Sequence, residues 1–134
     1  MTKLTHLAAA ALLAATPGMA LAWQADNRHF VNPVSDGVFE VVGRSGSGGP
    51  EFWCAAGDYA RRAIGASATQ RIYLVRGPAP AITRKWNRAV LFSLTEPQGA
   101  DLTPGYTLSV TRVGENLIAA SAQNYCSDYK MLDF

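Results

Sequence analysis

The chain predicts an α+β domain: one helix packed on a small, mostly antiparallel sheet, with a C-terminal tail disulfide-linked to that helix. Three observations lead there. One stretch, Pro50 to Gly65, has a helical period; short apolar runs separated by turn residues lie on either side of it; and two cysteines, Cys54 in that stretch and Cys126 in the tail, offer one covalent tie.

The helix has start and stop signals. Pro50 suits a first turn, where its missing N–H costs nothing. Glu51 sets a negative charge against the positive end of the helix dipole, and Gly65 stands where a left-handed terminating residue is expected. At about 100° per residue, Phe52, Ala56, Tyr59 and Ala63 share one stripe, flanked by Trp53, Ala60 and Ile64. Cys54, Asp58, Arg61 and Arg62 fall on the other side, with Asp58 and Arg62 spaced to pair across one turn. A bridge from Cys54 to Cys126 therefore carries the tail across the outer face of the helix and leaves the helix between sheet and tail.

Before the helix, 23–36 reads as an extended arm, with Pro33 opposing a central strand. Asp36-Gly37 is a turn signal, Val38 to Val42 a strand, and Arg44 to Pro50 a flexible loop. After it, Arg71 to Val75 is a strand stopped by Gly77-Pro78-Ala79-Pro80, and the apolar run Ala89 to Leu94 is a central strand. Thr107 to Val113 and Leu117 to Ala122 flank Gly114-Glu115-Asn116 as a hairpin. The last eleven residues, with Tyr125, Cys126, Tyr129, Met131, Leu132 and Phe134, are apolar enough to dock.

Residues 1–22 read as a secretory signal: Lys3, a short apolar core from Leu7 to Ala15, a Pro17-Gly18 break, and a small-x-small cleavage site at Ala20-Leu21-Ala22. That core is too short to cross a bilayer. The rest, 23–134, suits a single domain, and the expected location is the periplasm or outside the cell. Removal of the signal leaves a net charge of about +1 and one histidine, His29, which gives no electrostatic case for nucleic acid. No later run is long and apolar enough for a transmembrane segment. Two cysteines in an exported chain favour a disulfide, Cys54–Cys126.

Catalytic and metal motifs are sparse. The single histidine and the lack of a CxxC pair oppose zinc, the scattered acids oppose calcium, and no cofactor motif stands out. The loop at Gly46 to Gly49 precedes a helix but lacks the lysine and hydroxyl of a nucleotide cradle, so it reads as a linker. Cys54 as a nucleophile with His29 as base competes with the simpler disulfide. Arg84, Lys85, Trp86 and Arg88 are the surface-binding candidate, since cations around an indole hold anionic polymers, lipid head groups or an acidic partner. The simpler reading of that segment is a solvated strand entry with Trp86 packed inward.

The block FWCAAGDYARRAIGA at 52–66, followed by RIYLVRGPAP at 71–80, resembles small exported proteins of alphaproteobacteria that have no assigned function. The resemblance implies a one-helix, disulfide-bonded exported domain and carries no catalytic residue. The expected function is thus a non-enzymatic exported domain binding a protein or a cell-envelope component. The alternatives are a small envelope hydrolase using His29 with Asp36 or Cys54, and an inhibitor of such a hydrolase.

Overall fold

The computed structural model describes residues 22–105 and 107–130. The expected signal segment, apart from Ala22, lies outside them, as do Met131, Leu132 and Phe134 of the tail. The described elements run β1 (Trp23–Gln24), β2 (Phe30–Ser35), β3 (Val38–Val42), α1 (Gly49–Asp58) continued by a π-helical turn (Tyr59–Ile64), β4 (Arg71–Pro80), β5 (Arg88–Ser93), β6 (Asn116–Ile118) and α2 (Ala119–Lys130). The strands form one antiparallel sheet in the order β1-β2-β3-β5-β4-β6. The expected α+β class, with helix, sheet and disulfide, is the observed one.

The Asp36-Gly37 signal turns β2 into β3, with Gly37 at φ 69°. The expected arm before it is instead two paired strands. Pro33 is accommodated because the β2–β3 register shifts between Pro33 and Ser35, so the ladder absorbs its missing N–H. β5 is central, between β3 and β4, as its apolar run predicts. β4 runs on through Gly77-Pro78 to Pro80 by two register shifts against β5. The prolines fit there because β6 pairs only with Arg71 to Tyr73; beyond it β4 has no strand partner on that side, and the 110–111 backbone packs against Gly77 instead.

α1 is buried all round from Phe52 to Asp58, which an amphipathic surface helix is not. Its sheet side contributes Trp53, edge-on to Phe92 at 4.9 Å, and the following turn contributes Tyr59, 4.7 Å from Phe39. Its outer side carries Cys54, bonded to Cys126 of α2 with the two Cα atoms 4.9 Å apart. The sandwich expected from the Cys54 position is present. The tail, however, crosses as a helix, so the described residues hold two helices rather than one. Closing a 72-residue separation contributes about 4 kcal/mol in the chain-entropy model, a large share of a small domain's net stability.

Two further expectations are corrected. The stripe ends at Ala60: the π-helical turn rotates the last residues, and Ala63 and Ile64 face solvent. Gly65 terminates the turn at φ 79°, as expected. The Thr107–Val113 and Leu117–Ala122 hairpin does not form. Instead 107–113 is irregular and lies against the core through Leu108 and Val110, with the Ser109 carbonyl accepting the Trp53 indole N–H at 3.2 Å. The partner of β6 is β4, since Leu74 N–H donates to Glu115 O and Gly114 N–H to Leu74 O just beyond the paired residues.

Candidate functional site

The basic-aromatic segment forms the β4–β5 loop, and a buried acid organises it. Glu40 follows Phe39 and precedes Val41 on β3, so its side chain leaves the sheet on the face opposite the core. There it is fully buried, because the loop folds over it. The N–H groups of Ile82 and Thr83 donate to the Glu40 carboxylate at 2.9 and 2.7 Å, and the Thr83 hydroxyl donates as well. Asn32 on β2 donates to the Thr83 oxygen at 2.8 Å, tying the loop to a second strand.

From this base the predicted residues diverge. The Arg84 guanidinium lies 4.5 Å from the Phe30 ring, a cation–π contact. Arg88 reaches back to the Pro78 carbonyl at 2.8 Å and so serves the β4–β5 ladder. Lys85 is exposed. Trp86 does not pack inward: it is fully exposed, at φ 69°. A left-handed non-glycine residue costs about 1–2 kcal/mol, so the tight turn closed by Asn87 N–H to Arg84 O and Ala81 N–H to Asn87 O holds this indole out against a backbone penalty.

Arg84 forms one wall of a groove of about 360 Å³ whose other cations are Arg28 and Arg44, with Phe30 as the floor and Gln24 and Asn87 at the sides. Arg28 sits in the tight β1–β2 turn at φ 67°, where Ala25 exchanges backbone hydrogen bonds with Arg28 and His29. Arg44 opens the loop before α1. Among the described residues none of these three guanidinium groups is ion-paired with a carboxylate. Three arginines around one concavity, none in a salt bridge among the described residues, make a local positive field. Arg28 and Arg44 were not legible as a cluster, since they are 16 positions apart, lie 56 and 40 positions before Arg84, and each abuts a turn.

A second, shallower pocket of about 240 Å³ shares Arg44 and Ser45 and holds His29, Ser47, Asn27 and Glu51. The 44–47 loop is a braced turn and not a free linker: Arg44 N–H donates to Ser47 Oγ at 2.9 Å and Ser47 N–H to Arg44 O at 3.0 Å. Glu51 accepts the Gly48 N–H at 3.0 Å, capping α1. His29 is 4% exposed, with Nε2 2.6 Å from Ser47 Oγ and Nδ1 3.3 Å from the Asn27 carbonyl. A proton on Nδ1 serves that carbonyl and leaves Nε2 to accept from the serine hydroxyl. Burial, reinforced by the charge of Arg44, holds the imidazole pKa below its usual value, so it is neutral at pH 7.

The hydrolase pairings drawn from the sequence are not assembled. Cys54 is oxidised, and Asp36 lies at the opposite end of β2 from His29. No protein family, curated protein or solved structure matches this chain. Among the described residues no helix is long and apolar enough to cross a membrane.

Proposed function

We propose that the protein is an exported domain that binds an anionic component of the cell envelope without transforming it. The observation that carries this reading is the convergence of Arg28, Arg44 and Arg84 on one groove, none of them in a salt bridge among the described residues. Guanidinium groups are forked donors suited to phosphate and carboxylate, and an aromatic floor adds stacking area. The Cys54–Cys126 disulfide supports an oxidising compartment, which agrees with the secretory signal read at 1–22.

Titration calorimetry with inorganic pyrophosphate tests it. Binding is expected, weakening as salt rises, and Arg44→Ala is expected to lower affinity about tenfold, the loss of one charge-assisted hydrogen bond. Absence of binding, or affinity unchanged from wild type in both Arg28→Ala and Arg44→Ala, overturns the reading. One contact favours a second reading, an envelope hydrolase with Ser47 as nucleophile and His29 as base: their 2.6 Å approach beside Glu51. Ser47 is also the brace of its own turn, and that role accounts for the contact without chemistry.

A further inference from the structure

The β4–β5 loop has a feature that anion binding in the groove does not use. Trp86 is wholly exposed and its backbone is left-handed, a conformation glycine adopts freely and tryptophan does not. Nothing within the described fold repays that placement, because the indole makes no packing contact there. Ile82, four residues earlier on the same loop, is 55% exposed. Arg84 and Lys85 stand between them, and the Glu40 clamp fixes the loop at its base. The result is a rigid projection with two apolar side chains, flanked by cations and set beside an arginine groove.

We infer that this loop is a membrane-surface anchor: the Trp86 indole seats at headgroup depth in an anionic phospholipid bilayer while the groove takes a lipid phosphate. Indole rings favour the interface between headgroups and acyl chains. Lysine and arginine beside them are drawn to anionic lipid. The phosphate contact rests on the function proposed above, and the indole contact does not.

The test uses the protein as the cell exports it, its N-terminus established by mass spectrometry, with phosphatidylglycerol vesicles and neutral phosphatidylcholine vesicles. The three tryptophans separate cleanly, because Trp53 is fully buried and Trp23 half-buried, so the difference spectrum between wild type and Trp86→Ala reports Trp86. Expected are co-sedimentation with phosphatidylglycerol vesicles only, a blue-shifted Trp86 emission, about tenfold weaker binding by Trp86→Ala and about fivefold weaker binding by Lys85→Ala, with pyrophosphate binding unchanged in Trp86→Ala. Pyrophosphate binding without vesicle binding, or vesicle binding that Trp86→Ala leaves intact, overturns the anchor and spares the groove. Trp86-dependent vesicle binding without pyrophosphate binding upholds the anchor and overturns the groove. Loss of both overturns both.

Discussion

Glu40 shows how one residue can set a site it does not touch. A carboxylate without exposure is tolerated only when donors replace its water, and here the donors come from a loop more than forty residues away in sequence. Glu40→Ala removes the acceptor of two backbone N–H groups and a hydroxyl. It is expected to cost about 2–3 kcal/mol in urea unfolding, and Glu40→Gln about half that, because the amide keeps one acceptor. Both should weaken pyrophosphate binding, since Arg84 loses the anchor that holds it over Phe30. Unchanged midpoints in both variants would remove the clamp from the account. In the sequence, Val38 to Val42 reads as a strand. That reading has the right element but cannot see the loop that covers Glu40.

At the level of elements, the two helices approach closely enough to dictate residue type. A Cβ built on Gly57 of α1 would lie 2.4 Å from the Gln123 backbone nitrogen and 2.8 Å from the Ala122 Cβ of α2. Alanine in place of a helical glycine ordinarily gains about 1 kcal/mol. At Gly57 that gain competes with overpacking of about 1–3 kcal/mol, and the Cys54–Cys126 bridge prevents α2 from simply moving away. Gly57→Ala should therefore lower the thermal midpoint, and a raised midpoint would mean the helices separate freely. The α1 half of this contact was legible, because Cys54 opposes the apolar stripe. The α2 half was not. Its buried face is Ala119, Ala122 and Cys126, spaced at helical intervals but too small to give a strong apolar signal, so strand propensity at Leu117 and Ile118 prevailed.

For the molecule as a whole, two buried titratable groups set a stepped response to acid. His29 is neutral when folded, with its pKa depressed by burial, while the unfolded chain binds a proton near pH 6.5. Acidification through that value therefore favours the unfolded state, so stability is full above it and declines below it until the folded imidazole also protonates. Asp58 gives the second step. Burial alone would raise its pKa, but hydrogen bonds from Arg62, the Asp26 N–H and Gln123 outweigh burial and hold it below 3.8. Its contribution is present above the unfolded value and is lost as pH falls through the folded one. Both groups tie β1 and its turn to the helical layer, His29 through Ser47 ahead of α1 and Asp58 through Asp26 and α2. Urea midpoints at pH 8, 5.5 and 3.5 should fall in two stages, with His29→Gln flattening the first and Asp58→Asn the second. The edge of the groove that carries Arg28 is built on that same β1–β2 turn, so anion affinity should fall with the first stage. An affinity that instead rises smoothly between pH 8 and 5.5 would mean that the turn holds its shape without a neutral imidazole.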